Sequence, residues 1–187
     1  MILNYKEIID KVGNNYNLTK LIKEEKLFKV EKGIYSDNKD INYWQVIFKK
    51  YPNAVIADKS AYFYYGLIQN QPEIYYVATK RNHTRIKDKK IKQKFYKNLD
   101  LRDSVVNFQV VTLEDTNVKI LSREMLLVEL FRNKNKISNE TFNQILNGFK
   151  TNINDIELDV VKIIMYNYYD YETVERHFKI IEQLILN

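Results

Sequence analysis

Apolar residues recur at helical spacing from the start of the chain: Tyr5, Ile8, Ile9 and Val12 lie between Asn4 and Gly13, and Glu7 follows Asn4 by three positions, in capping-box register. The pattern predicts a short helix that Gly13 closes. Asn17 then caps a second helix, whose inward stripe is Leu18, Leu21 and Ile22 and whose opposite, polar face carries Tyr16, Thr19, Lys20 and Lys23. Beyond Leu27, Phe28 and Val30 alternate with lysines, Lys32-Gly33 breaks the run, and Ile34-Tyr35 resumes it, as in a β-hairpin. Two short helices and a hairpin within residues 1–38 are the outline of a winged helix-turn-helix.

Residues 36–42 are polar and read as a linker, after which the pattern resumes with a helix through Trp44, Ile47, Phe48 and Tyr51 that Pro52 stops. A short strand is expected over 54–57, then a helix over 61–65 capped by Asp58 or Ser60 and ended by Gly66, then a strand over 74–78. Residues 105–112 and 118–121 predict a strand pair joined at 114–117, and Ser122 then caps a helix with Leu127, Leu130 and Phe131 inward. Three more helices follow. Phe142, Ile145, Leu146 and Phe149 mark the first, closed by Gly148; Ile156, Val160, Ile164 and Tyr168 the second; Tyr171, Val174, Phe178 and Ile181 the third. The fold class is therefore α+β: an N-terminal winged helix-turn-helix, then a mixed domain over 39–187 with a small β-sheet and a helical C-terminus.

Charge changes this picture through its placement. The net charge is +6, yet residues 80–97 alone hold nine cations against Asp88, a local +8, so the rest of the chain sums to −2. A slightly acidic body with one cationic stretch points to a polyanion or an acidic protein face as partner. Arg81, Arg85, Lys89 and Lys92 fall at i, i+4, i+8 and i+11, the spacing of a shared helix face, and Lys80, Lys87, Lys90 and Lys94 add to the same stretch. Its plainer reading is a solvated, lysine-rich surface. The chain has no cysteine, which excludes disulfides, thiolate zinc sites and cysteine nucleophiles and fits a reducing compartment. Met1-Ile2-Leu3-Asn4-Tyr5-Lys6-Glu7 does not develop into an export signal, and no run of about 18 apolar residues occurs, so a cytoplasmic protein without a membrane span is expected.

Residues that usually carry catalysis are scarce. All four glycines already have a structural post, at helix ends or in the hairpin turn, which leaves none for a phosphate-cradling loop. His83 sits in the basic stretch and His177 on the last helix, neither with a second ligand at metal-binding spacing, and no G-x-S-x-G elbow is present. No catalytic residue, metal site or small-molecule cofactor is expected, and the protein is read as a non-enzyme. One enzymatic alternative is a metal-dependent nuclease built on Glu114, Asp115 and Lys119, although the fixed carboxylate offsets of such a site are missing.

The polar face of the second helix suits major-groove insertion, with Tyr16, Thr19, Lys20 and Lys23 reaching base edges and phosphates and Asn15 and Asn17 supplying adenine-reading amides. Against this stands a solvated face in a module that only packs. Residues 1–40 hold eight basic and seven acidic side chains, little positive charge for a phosphate-binding unit.

Several ordered blocks resemble the AbiEi-type antitoxins of bacterial type IV toxin–antitoxin and abortive-infection systems. The first is Leu21-Ile22-Lys23-Glu24-Glu25-Lys26-Leu27 running into Val30-Glu31-Lys32-Gly33-Ile34-Tyr35, similar to the family's helix, K-L and wing ending in glycine, apolar residue and tyrosine. Tyr51-Pro52-Asn53-Ala54-Val55 with Ser60-Ala61-Tyr62-Phe63-Tyr64-Tyr65-Gly66-Leu67, then Tyr75-Tyr76-Val77-Ala78-Thr79, continue the resemblance. Ser122-Arg123-Glu124-Met125-Leu126-Leu127-Val128-Glu129-Leu130 and Arg132-Asn133-Lys134-Asn135-Lys136 complete it, over about residues 18–136. The resemblance implies an antitoxin that represses its own operon through operator DNA and counteracts a cognate nucleotidyltransferase toxin. It places DNA contact on Asn15, Tyr16, Asn17, Thr19, Lys20 and Lys23 in the helix and on Lys32 in the wing. The family has a further helix ahead of this pair, so the winged helix-turn-helix is expected to be truncated. A protein-interaction module without DNA binding is the alternative within the binding class.

Overall fold

The computed structural model describes residues 1–96, 108–113 and 116–186, and divides the chain into two compact units, Met1–Ala54 with Thr112–Asn117, and Val55–Val111 with Val118–Asn187. The fold is mixed, with small sheets and eight α-helices among the described residues.

The first unit opens with β1 (Ile2–Asn4), a strand without a sequence signal because three residues are too few to show alternation. Asn4 ends it and caps α1 (Tyr5–Val12): its Oδ1 accepts from Glu7 N at 3.0 Å while its own N–H donates to Glu7 Oε2 at 2.8 Å, the reciprocal bonds of a capping box. Gly13, at φ 85°, closes the helix as expected and donates to Ile9 O. The next helix, α2 (Asn15–Lys23), begins three residues earlier than its sequence signal. Asn14, in extended backbone, is the cap and accepts from Asn17 N at 2.9 Å, while the Asn17 amide turns back to donate to Val12 O. The hairpin forms as β2 (Phe28–Glu31) and β3 (Ile34–Ser36) around Lys32-Gly33, with Gly33 at φ 78°. The strands are antiparallel in the order β1-β3-β2, and Leu3, Ile8, Leu18, Leu27 and Tyr35 form the core beneath α1 and α2. A third helix, α3 (Tyr43–Lys50), capped by Asn42, packs on β1 and belongs to this unit, so the division falls after Ala54 and not in the polar stretch ending at residue 42. Lys49 reaches Glu7 at 2.6 Å and Lys50 reaches Glu31 at 2.7 Å, fastening α3 to α1 and to the β2–β3 hairpin.

The five-stranded sheet has the order β6-β5-β4-β8-β7, from β4 (Val55–Ile56), β5 (Tyr75–Lys80), β6 (Ile91–Tyr96), β7 (Phe108–Leu113) and β8 (Thr116–Leu121), and belongs to the second unit except for the β7 and β8 residues within 112–117. Helix α4 (Asp58–Tyr64) starts earlier than expected, so neither Asp58 nor Ser60 is its cap: Ala57 takes that position and has no side-chain acceptor, and Ser60 Oγ accepts from Tyr76 N. Helix α5 (Arg123–Arg132), capped by Ser122, is buried continuously from Glu124 to Leu130, more completely than an amphipathic stripe requires, as befits a helix packed on several sides by α4, α6 (Asn139–Thr151) and α7 (Leu158–Tyr166). Ser138 caps α6, and α8 (Tyr171–Leu186) ends the described chain. Gly148 does not close α6, which runs on to Thr151. A Cβ on Gly148 would lie 2.9 Å from Leu67 Cα, so this glycine serves a close approach of backbone to helix. No helix among the described residues is long and apolar enough to cross a membrane.

Candidate functional site

In the first unit, α2 presents Tyr16, Lys20 and Lys23 to solvent on one side while Leu18 is buried on the other. Tyr16 is 78% exposed, far beyond what packing asks of a tyrosine. Lys20 stands 3.9 Å from Glu24, an exposed i, i+4 pair too weak to hold its ammonium against a phosphate. Lys32 is exposed at the tip of the hairpin. The three other residues of this face have structural work. Thr19 Oγ1 donates to Asn15 O at 2.8 Å, Asn15 Oδ1 accepts from the Tyr5 hydroxyl at 2.8 Å, and Asn17 Nδ2 donates to Val12 O at 2.7 Å. Bidentate reading of adenine takes both ends of one carboxamide. Neither Asn15 nor Asn17 has both ends open, so Tyr16, Lys20, Lys23 and Lys32 form the available contact surface.

The basic stretch of the second unit is not a helix, which corrects the expectation of one face carrying Arg81, Arg85, Lys89 and Lys92. Ile91–Tyr96 forms β6, pairing in parallel with β5 in the register Tyr76↔Lys92, Ala78↔Lys94 and Lys80↔Tyr96. Residues 81–90 are the crossover between these strands, short for a parallel connection and without regular structure. Gln93 pins the crossover: its Oε1 accepts from Ile86 N at 2.7 Å and its Nε2 donates to Thr79 Oγ1 and to Thr84 O, while the Ile86 side chain is buried. Since side chains alternate across a strand, the crossover runs on the face of Gln93 and Thr79, and Lys92 and Lys94 point to the other. The strip is thereby split. Arg81, Arg85, Lys87, Lys89 and Lys90 are exposed on or beside the crossover; Lys80 is partly buried at the end of β5.

Lys94 and Lys92 face a cleft of about 800 Å³ walled by β5, β6, α4, α5 and α6. At its floor lies Glu129, only 4% exposed on the central helix α5. Glu129 accepts from Lys94 Nζ at 2.7 Å, from the buried Tyr96 hydroxyl at 3.1 Å, from Arg132 and from Asn133 Nδ2 at 3.1 Å. Burial works to raise its pKa, but the charge and hydrogen bond of Lys94, then Arg132 and the Tyr96 hydroxyl, hold it below the ordinary carboxylate value. Burial in turn pushes the Tyr62 and Tyr96 phenols well up, so both stay protonated donors. The Arg132 guanidinium also stacks over Tyr168 at 3.8 Å. Sequence reading missed this hub. Its one signal is an acid inside the apolar run Met125-Leu126-Leu127-Val128-Glu129-Leu130.

His83 Nδ1 lies 2.9 Å from Thr84 O, and the His177 ring packs edge-on against Tyr169. Glu114 and Asp115, the carboxylates of the nuclease alternative, lie outside the described residues, as does Lys97; Lys119 sits 5.5 Å above the Phe108 ring. Among the described residues no group of three His, Cys, Asp or Glu is arranged to hold a metal ion. Comparison with known proteins finds no family model that matches the chain and no curated protein that matches it.

Proposed function

We propose that this protein is a cytoplasmic, non-enzymatic antitoxin of the type IV, abortive-infection kind, which represses its own operon through its first unit and counteracts a nucleotidyltransferase toxin through its second. The observation that carries the reading is the order β1-α1-α2-β2-β3 with the strand sequence β1-β3-β2. This order fits a winged helix-turn-helix and supports reading α2 as its recognition helix and Lys32-Gly33 as the tip of its wing. The exposure of Tyr16, Lys20, Lys23 and Lys32 supports it further, since these residues sit where such a module meets base edges and phosphates.

For the second unit, the exposed cations of the 81–90 crossover support electrostatic recognition of an acidic partner. Co-expression with a nucleotidyltransferase toxin, taken from beside this gene if one is encoded there, tests the reading. Growth should be restored by the full chain and lost again when Arg81, Arg85 and Lys89 are changed together to Glu. A chain that never restores growth would refute antitoxin action, and undiminished rescue by the charge-reversed variant would remove the crossover from it.

The alternative of an interaction module without DNA binding draws on one observation, that Asn15, Asn17 and Thr19 are occupied by the fold of the helix-turn-helix itself. It predicts no preference for the DNA upstream of the gene.

A further inference from the structure

The cleft above Glu129 has features that neither DNA recognition nor the crossover cations use. Its volume, about 800 Å³, lies in the range of small-molecule sites, roughly 300–1,000 Å³. Its charges are sorted by depth. Glu129 at the floor and the partly exposed Asp58 above it lie 2.7 and 3.9 Å from Lys94, so these two carboxylates already have a cation. Around the rim, Lys59, Lys92 and Lys136 have no ion pair among the described residues and face the single carboxylate Glu73. Carboxamides of Asn70, Gln71 and Gln144 line the same space. Tyr76 offers a partly exposed ring on the wall, with the Lys92 ammonium 5.7 Å from its centroid. Asp58 holds φ 49°, a left-handed conformation that a non-glycine residue adopts at a cost and that clusters at ligand-binding positions.

We infer that this cleft is a nucleotide-binding site, in which the rim lysines take the phosphates and the Tyr76 ring with the carboxamides takes the base. The ligand class follows from the pairing of functions: ammonium groups without a carboxylate partner suit phosphate oxygens, an aromatic face suits a planar base, and carboxamides both donate and accept as a base edge demands. This inference does not rest on the antitoxin reading and would hold for an interaction module of any kind.

Calorimetric titration of the full chain with ATP, GTP, CTP and UTP, and with inorganic triphosphate, tests it. At least one nucleoside triphosphate should bind, more tightly than triphosphate alone. The Lys92→Glu/Lys136→Glu variant, altered only at exposed side chains, should unfold at the same temperature and bind at least about tenfold more weakly, the order expected for losing charge-assisted contacts. An Arg85→Glu/Lys89→Glu variant of the crossover should bind as the parent does. The inference is overturned if no nucleotide binds at about 1 mM, if triphosphate alone binds as tightly as every nucleotide, if the rim variant binds undiminished, or if the crossover variant is the one that loses binding.

Discussion

Lys94 Nζ and Glu129 Oε2 lie 2.7 Å apart, and this contact joins the strand at one end of the described sheet to the most buried helix of the second unit. Glu129 also accepts from Tyr96, Arg132 and Asn133, so the carboxylate is the common acceptor of four side chains. Removing one partner of such a pair strands the other, whereas removing both leaves an apolar contact. Lys94→Met is expected to cost about 2 kcal/mol, and much less in a Glu129→Met background. A double-mutant cycle followed by urea denaturation should therefore give a coupling energy above about 1 kcal/mol. Additive costs would show that Lys94 only lies near the carboxylate.

The same group sets an acid dependence. Glu129 is held below its ordinary value of 4.5 in the folded chain, so its ionisation favours folding above that value, and the contribution is lost as pH falls through the depressed folded value. Stability should thus drop from pH 5 toward pH 3 more steeply in the parent than in Glu129→Gln, which has no proton to take up. Equal slopes in thermal melts across that range would contradict the assignment.

Gly148 tests the helix packing. On propensity alone Gly148→Ala inside α6 would gain about 1 kcal/mol. The Cβ would meet Leu67 Cα at 2.9 Å, and overpacking of this kind costs about 1–3 kcal/mol, so the net change should be destabilising. A raised melting temperature would mean that the 67 backbone yields freely.

Glu25 tests the opposite case. It sits at φ 55° just beyond α2, where Lys26 N donates to Leu21 O, the turn in which glycine is the usual residue. Its carboxylate lies 3.8 Å from the Lys39 ammonium, an exposed pair of small worth. Glu25→Gly should stabilise by about 0.5–1 kcal/mol, read as a higher urea midpoint with unchanged slope. A lower midpoint would show that chain entropy outweighs the relieved strain.

Local chemistry was legible in the sequence at several places where the deciding contacts are close along the chain, although Asn14 and not Asn17 caps α2. The Asn4–Glu7 capping box, the Ser122 cap and the Lys32-Gly33 turn all depend on neighbours within four residues. What depended on distant partners was not. β1 exists because Leu3 pairs with Tyr35, and three residues carry no periodicity of their own. In the basic stretch, lysine spacing fits a helix as well as a strand, and the choice is made by register with β5 and by Gln93 holding the crossover. Gly148 looked like a helix stop because the approach of Leu67, some eighty residues earlier, is invisible locally. Glu129 was passed over for a similar reason: Lys94 and Tyr96 lie more than thirty residues away.

The most direct test of the central claim is the affinity of the full chain for the DNA upstream of its own gene, measured by fluorescence anisotropy against salt and against unrelated DNA of equal length. If Lys20, Lys23 and Lys32 each neutralise a phosphate, the logarithm of the binding constant should fall with that of salt at a slope near −3 per bound chain, and Lys20→Ala should flatten it by about 1. Tyr16→Ala should lower the preference for the upstream sequence and leave the slope unchanged. Equal affinity for both DNAs, or a slope indifferent to Lys20, Lys23 and Lys32, would contradict the account.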